Sequence, residues 1–303
     1  MNEHSMNLLV GDNPFHGISH LSQQRVRARS TSLTQENVEY AARLVKLSLE
    51  NGANGFMFSV DEATLSILKI LVDGNRVENM SLYAIVPYAY EYVRHATQAG
   101  GVSGLAKSLA KEMIFSSNIK VVLPNISGLI QFNPSSFLKV YVAYEMARIK
   151  NAVKGHNCLK SILLHEIITD MALALNLEQL FKDYIKFVEK SDVRPGFETR
   201  NFASLVKKFS EWNIDFGKIT ITASFNKIGF QMDPSKNECE RALDHVHGAE
   251  VIAMSILAAG YLSPMEAVTY INQLEEISGV VVGVSKERQA IETFSLLERN
   301  LVK

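Results

Sequence analysis

The chain has 303 residues, of which 47% are hydrophobic and 21% are charged. Its 31 Lys and Arg residues balance 32 Asp and Glu residues, so the net charge of −1 gives no reason to expect a nucleic-acid or membrane partner. Two cysteines without a Cys-x-x-Cys pair exclude a disulfide framework and disfavour an iron–sulfur or structural zinc site. The N-terminus lacks the pattern of a secretory leader, and the apolar runs are far shorter than the roughly 20 residues of a membrane span. Composition therefore predicts a soluble, cytoplasmic protein that acts on a small-molecule substrate.

Short apolar, β-branched runs alternate with longer amphipathic stretches along the whole chain. Most of the runs are continuously hydrophobic, which is typical of strands buried on both faces of a parallel sheet. In chain order, the predicted strands cover residues 7–10, 55–59, 82–86, 120–123, 161–164, 193–197, 218–222, 250–254 and 279–282. The stretches between them have helical spacing, and the predicted helices cover residues 34–50, 62–72, 90–113, 135–152, 170–190, 201–211, 234–245, 264–276 and 286–301.

This alternation predicts an α/β protein, and about eight repeats favour a single (β/α)8 TIM-barrel domain over residues 1–303. A doubly wound sheet is disfavoured because no Gly-x-Gly-x-x-Gly follows the first strand. The nine strand candidates exceed the eight that a barrel needs. Either residues 193–197 form only a loop, since Pro195 lacks a backbone donor, or residues 120–123 belong to an inserted strand–helix segment around residues 115–155.

The residues that follow the strands are the candidates for function, because barrels of this kind bind ligands at the C-terminal ends of their strands. Asp12 follows the first strand, and His165 follows an apolar strand, where a titratable ring is an unusual choice for a core. Both are candidate acid/base residues. Glu166 is expected to point to the other side of its strand as a surface or helix-capping carboxylate, and Asp61 is expected to cap the next helix.

Small residues after the last two strands predict a phosphate site. Gly260 and Gly283 let a backbone approach phosphate oxygens closely, and Ser285 can cap the final helix, whose N-terminal amides attract an anion. Lys286 and Arg288 add positive charge at the same place. No metal site is expected, because His16 and His20 lie in a loop and no helix aligns them on one face.

Several segments together resemble a known superfamily. They are residues 8–15, 163–165, 193–202, 225–226, 255–262 and 283–285. In order and spacing they are similar to the aldo/keto reductases, which are (β/α)8 barrels that bind NADP(H) without a Rossmann motif. The resemblance implies that His165 is the active-site histidine and that Phe225, beside Asn226, stacks on nicotinamide. It further implies that the loop with Ser255, Leu257 and Gly260 holds the pyrophosphate.

The resemblance does not extend to the residues that transfer the proton. The superfamily uses a Tyr acid held by Asp, Lys and His, whereas residues 55–64 contain no Tyr and the third strand runs into Pro87 and Tyr88 instead of Lys. Tyr88 or Tyr83 is therefore the candidate proton donor. Two alternatives remain open. One is a lyase, isomerase or hydrolase that acts on a phosphorylated metabolite, with Asp12 and His165 as acid and base, and the other is a non-catalytic scaffold that retains the cofactor site.

Overall fold

A computed structural model describes residues 6–16, 35–74, 80–87 and 134–301. In this part of the chain, eight parallel strands pair in chain order and close into a barrel, as the alternation predicted. The strands are β1 (Asn7–Gly11), β2 (Gly55–Ser59), β3 (Ser81–Val86), β4 (Leu159–Leu164), β5 (Arg194–Thr199), β6 (Thr220–Ser224), β7 (Glu250–Met254) and β8 (Ile277–Gly283).

Helices surround the barrel between successive strands. They are α1 (Gln35–Leu49), α2 (Glu62–Asp73), α3 (Pro134–Ala152), α4 (Glu166–Ala174), α5 (Glu178–Glu189), α6 (Phe202–Glu211), α7 (Lys236–Leu243), α8 (Pro264–Ile271) and α9 (Glu287–Asn300). Asp61 caps α2 in a capping box with Thr64, as expected. None of the described helices is both long and apolar enough to cross a bilayer.

Two hydrophobic clusters account for the alternation of side chains along each strand. The larger one fills the layer between the outer face of the barrel and the helices, where Phe181, Phe197 and Phe209 meet edge to face. The smaller one fills the barrel itself and consists of Leu9, Met57, Tyr83, Ile85, Leu163 and Ile252, packed with Val281. Both faces of the strands are thus buried, which explains their continuous hydrophobicity.

A polar cluster closes the N-terminal end of the barrel. Tyr83 donates a hydrogen bond of 2.5 Å to Glu250 at the start of β7, and Asn7 donates one of 2.9 Å to the same carboxylate oxygen. Thr220 donates to the second oxygen at 2.7 Å. This network joins β1, β3, β6 and β7 at the end of the barrel opposite the expected site.

The strand count is settled by β5. Pro195 pairs with Ile162 inside the closed sheet, so the run at residues 193–197 is a true strand and extends to Thr199. The eight strands close without residues 120–123, which, like the helix predicted at 90–113, lie outside the described residues. The helix predicted at 170–190 is in fact two helices, because Asn176 adopts a left-handed φ of 52° between α4 and α5.

Candidate active site

A cavity of about 650 Å³ opens at the C-terminal ends of the strands. Its size suits a small molecule or a cofactor. Its polar lining comes from loops and strand ends around the whole barrel and includes Asp12, Asn13, Ser59, His165, Glu166, Glu198, Arg200, Gln231, Ser255, Ser285 and Gln289. Pockets at this end of the barrel are where (β/α)8 enzymes carry out their chemistry.

His165 links β4 to α4 and is half-buried in the cavity wall. It is the N-cap of α4, and its Nδ1 accepts the backbone N–H of Ile167 at 3.2 Å. Burial lowers the pKa of the imidazole, so the ring is neutral at pH 7. Since Nδ1 is the acceptor, the proton of the neutral ring is on Nε2, which makes His165 a hydrogen-bond donor.

Glu198 lies beside this histidine, on β5. Its side chain faces the barrel interior, since the neighbouring Phe197 points outward into the helix layer. Oε2 of Glu198 accepts the backbone N–H of Glu166, the residue after His165, at 3.2 Å. Burial, and then the negative charge of Glu166, raise the pKa of the Glu198 carboxyl to about 8. Glu198 is therefore a carboxylic acid at neutral pH.

Glu166 and Arg200 form an ion pair next to Glu198. Arg200 Nε lies 2.7 Å from Glu166 Oε2, and this bond raises the pKa of the guanidinium further. Asp170 supports the end of β5, because it accepts hydrogen bonds from Thr199 Oγ1 at 2.5 Å and from Asn201 Nδ2 at 3.1 Å. The pair therefore has a fixed position in the cavity wall.

Asp12 connects the ends of β1 and β2. Its Oδ2 accepts the backbone N–H of Ser59 at 2.6 Å and lies 3.1 Å from His16 Nε2. His16 Nδ1 lies 3.4 Å from Asp61 Oδ2, so the imidazole is held between two carboxylates. Asp12 is 4% exposed, yet it lines the cavity, so it combines a structural role with access to a ligand.

The loop after β7 has an unusual backbone. Ser255, Ala258 and Ala259 have φ values of 56°, 45° and 58°, and Gly260 follows at 90°. Left-handed conformations cost non-glycine residues about 1–2 kcal/mol each, and such strain persists mainly at functional sites. Most of this loop borders the cavity, so the strain is located where a ligand would contact the backbone.

Gly283, the other glycine of the predicted phosphate site, has a packing role at the end of β8. Gly283 pairs with Gly11 across the β8–β1 ladder, and a Cβ on Gly283 would lie 2.7 Å from Pro14 Cδ. Gly283 is thus required for the packing of Pro14. After it, the backbone N–H of Ser285 donates to Gln289 Oε1 at 3.0 Å at the start of α9.

The cavity brings together seven of the predicted site residues, namely Asp12, His165, Ser255, Leu257, Gly260, Gly283 and Ser285. Four others lie away from its lining. Phe225 is fully buried against Phe202, and Asn226 is fully buried in hydrogen bonds with Phe230, so neither side chain is offered to a ligand. Lys286 is exposed, and Arg288 is exposed and paired with Glu292. Tyr88 lies outside the described residues.

Two expectations are corrected. Tyr83 is not at the mouth of the barrel, because its hydroxyl is buried against Glu250 at the opposite end, where burial raises its pKa. Glu166 is not a surface carboxylate, because it lines the cavity and binds Arg200.

The sequence analysis also missed Glu198 and Arg200. Their position directly after the run at 193–197 was the available signal, and doubt about Pro195 as a strand residue obscured it.

A metal ion and a phosphate-bearing cofactor need different groups from the residues of the cavity. In the described part of the chain, no group of three His, Cys, Asp or Glu side chains is arranged to hold a metal ion. At the start of α9, Ser285 offers a hydroxyl and the exposed Lys286 a cation to phosphates, beside the left-handed loop, whose Ala258 and Gly260 amides donate to loop carbonyls. These residues fit the pyrophosphate part of a dinucleotide.

No protein-family model and no curated protein matches the sequence. Solved structures with a similar fold include aldo-keto reductases. A provisionally assigned one from Pseudomonas aeruginosa has a TM-score of 0.60 at 10% identity, with 97% of this chain and 90% of that chain covered. One from Bacillus halodurans in its holo form has a TM-score of 0.55 at 12% identity, covering 96% and 86%. One from Klebsiella pneumoniae, in complex with NADP and acetate, has a TM-score of 0.52 at 10% identity, covering 97% and 86%. The chain therefore has an aldo/keto-reductase-like barrel fold.

Proposed function

We propose that the protein is an NADP(H)-dependent oxidoreductase that interconverts a small carbonyl compound and its alcohol at the mouth of the barrel. The observation that carries this proposal is the presence of a neutral, Nε2-protonated His165 in the same cavity as the left-handed loop after β7. The Nε2–H group can donate a hydrogen bond to a carbonyl oxygen, and the loop after β7 can contact a cofactor. The NADP complex of the Klebsiella pneumoniae reductase with the same fold supports the choice of cofactor.

His165 binds and polarises the carbonyl group. Its Nε2–H donates to the substrate oxygen, and this bond strengthens as negative charge develops on that oxygen. The buried, neutral ring is held by the Ile167 amide, so it needs little reorganisation during the reaction. When bound, NADPH supplies the hydride for the carbonyl carbon.

The residues that would hold the cofactor are those around the loop after β7 and the start of α9. Leu257 and Gly260 line the cavity from the loop, and Ser285 lines it just before the N-cap of the final helix, Lys286. Lys286, the N-cap of α9, and Arg288, in its first turn, are exposed cations that follow this loop in the chain. Arg288 is paired with the exposed Glu292, a surface ion pair that a phosphate can replace at little cost.

A second candidate function is acid/base chemistry without a cofactor, as in a lyase or isomerase that acts on a phosphorylated metabolite. It is favoured by three carboxyl side chains in the cavity, Asp12, Glu166 and Glu198. Among the described lining residues there is neither a Tyr nor a Lys, in contrast to the proton-transfer set of the aldo/keto reductases.

NADPH binding to two matched variants tests the proposal. The Cβ position of Gly260 opens into free space at a φ of 90°, so Gly260→Asp and Gly260→Asn impose the same backbone strain and differ only in charge. We expect the affinity for NADPH, measured by calorimetry, to fall at least about tenfold more in the Asp variant, because its carboxylate repels the phosphates. Equal affinities in both variants would place the phosphates elsewhere. No binding of NADPH or NADH to the wild type would favour the second candidate.

A further inference from the structure

We propose that Glu198 is the residue that gives the proton to the substrate oxygen, in place of the tyrosine that the aldo/keto reductases use. This inference rests on the proposed carbonyl reduction and adds a catalytic residue to it.

The position of Glu198 meets the first requirement for a proton donor, which is access to the reacting oxygen. The side chain lines the cavity from β5, one strand away from His165 on β4. The two residues are joined through the hydrogen bond between Glu198 Oε2 and the Glu166 amide. Both side chains thus border the cavity at the adjacent ends of β4 and β5, where an oxygen bound by His165 would be placed.

The surroundings meet the second requirement, which is a carboxyl that keeps its proton at neutral pH. Glu166 from α4 and Asp12 from the end of β1 place negative charge near Glu198, and Arg200 at the end of β5 places a positive charge near it. The guanidinium is already bound to Glu166, so it compensates that carboxylate first. Burial is the largest cause of the raised pKa of Glu198, which is about 8.

The neighbouring strand supplies an independent observation. Thr222 aligns with Glu198 across the β5–β6 ladder, and Ser224 follows on the same interior face of β6. In the described part of the chain, the buried hydroxyl oxygens of Thr222 and Ser224 have no hydrogen-bond partner. Neither hydroxyl donates to the Glu198 carboxyl, so on this side no hydrogen bond stabilises its ionised form.

The proposed reduction needs only the substrate, NADPH and the Glu198 acid. NADPH, when bound, would supply the hydride for the carbonyl carbon, and the π pair of the C=O bond would move to the oxygen. The O–H bond of the Glu198 acid breaks as a new O–H bond forms on the substrate. The products are the alcohol, NADP⁺ and the Glu198 carboxylate, which a proton from solvent restores to the acid.

Glu198→Gln tests the protonation state first, without any ligand. The carboxyl has its ordinary pKa of 4.5 when unfolded and a pKa of about 8 when folded, so the native wild type binds the extra proton between these values. Its stabilising contribution is present below pH 4.5 and is lost as the pH rises through 8. We expect the Tm of Glu198→Gln relative to wild type to rise by at least about 3 °C between pH 5 and pH 8.5. A difference that does not change with pH overturns the proposal.

Turnover tests the proton transfer. With NADPH and a panel of short aldehydes, the wild-type kcat is expected to fall above pH 8, as the acid ionises, and Glu198→Gln is expected to lose about 10²–10⁴-fold in kcat with no such pH limb. Glu178→Gln, on the exposed face of α5, is the control and keeps wild-type kinetics. If Glu198→Gln keeps the wild-type pH profile, Glu198 is not the proton donor, while the proposed carbonyl reduction still stands. A wild type that binds no NADPH and reduces no aldehyde overturns the proposed function, and with it the proton transfer, whereas the Tm comparison still reports separately on the protonation of Glu198.

Discussion

Single residues in the cavity have both structural and chemical roles, and His165 is the clearest example. Its Nδ1 caps α4 while the other ring nitrogen is available to a ligand. Loss of the side chain therefore affects the stability of the helix and the chemistry at once. An experiment has to separate these effects, because a fall in activity after an alanine substitution could come from either.

Two substitutions of His165 make that separation. His165→Ala removes the cap and is expected to cost about 1 kcal/mol of stability, whereas His165→Asn keeps a capping oxygen. Both variants lack the imidazole N–H, so turnover of NADPH with an aldehyde is expected to fall about 10²–10³-fold in each. Thermal unfolding and steady-state kinetics measure the two effects. If Asn restores both the Tm and the activity, His165 is only a cap.

At the scale of elements, the loop after β7 concentrates several left-handed non-glycine residues in one short stretch. Ala258 and Ala259 are left-handed and Gly260 follows them, in a stretch that ends just before the capping box of α8 at Ser263. The well-formed cap after the strained turn shows that the helix is built normally. Within this segment the strain therefore ends before α8 begins and lies in the loop that borders the cavity, which suits a preorganised binding loop.

Ala259→Gly tests this strain. Relief of the left-handed alanine is expected to gain about 1 kcal/mol, and the greater freedom of the unfolded chain to cost about 0.4–1 kcal/mol, so stability changes little. Ala147→Gly, in the middle of α3, is the control and is expected to lose about 1 kcal/mol. Urea unfolding measures both. NADPH affinity is expected to fall in Ala259→Gly because the loop must then be ordered on binding. Equal destabilisation in both variants would contradict the strain.

At the scale of the whole molecule, the two ends of the barrel have different functions. The N-terminal end is closed by the polar network around Glu250, and the C-terminal end carries the cavity. The Tyr83 hydroxyl belongs to the first end, and its ring packs in the apolar interior cluster that lies between this hydroxyl and the cavity. Stability and chemistry are thus separated along the barrel axis, as in other barrels of this architecture.

The substitution Tyr83→Phe is expected to lower the stability of the protein without changing its activity. It removes a donor to a carboxylate and is expected to cost about 1.5–3 kcal/mol in urea unfolding, with a single cooperative transition. Activity per folded molecule is expected to stay at the wild-type value, because the hydroxyl is at the far end from His165. Tyr261→Phe, on an exposed side chain, serves as the control and leaves stability unchanged. A loss of activity without a loss of stability would return Tyr83 to the candidate proton donors.

The sequence by itself determined the architecture and predicted the end of the barrel at which the cavity opens. Continuous apolar runs are required wherever both faces of a strand are buried, so periodicity alone predicted the parallel barrel. The rule that function follows the strand ends then placed Asp12, His165 and Gly260 correctly at the cavity. These inferences succeeded because they depend on local composition and on the order of elements, both of which can be read along the chain.

The tertiary structure alone decided which side chains meet. Glu198 becomes a neutral acid only because burial in the barrel and the charge of Glu166 act on it together. The sequence alone is compatible with Glu166 as a surface residue. In the folded chain its side chain lies in the cavity, where it pairs with Arg200, 34 positions away. Phe225 resembled a stacking aromatic and is instead core, since its direction depends on the packing of Phe202. Protonation, pairing and orientation depend on neighbours distant in sequence, and so only the folded chain determines them.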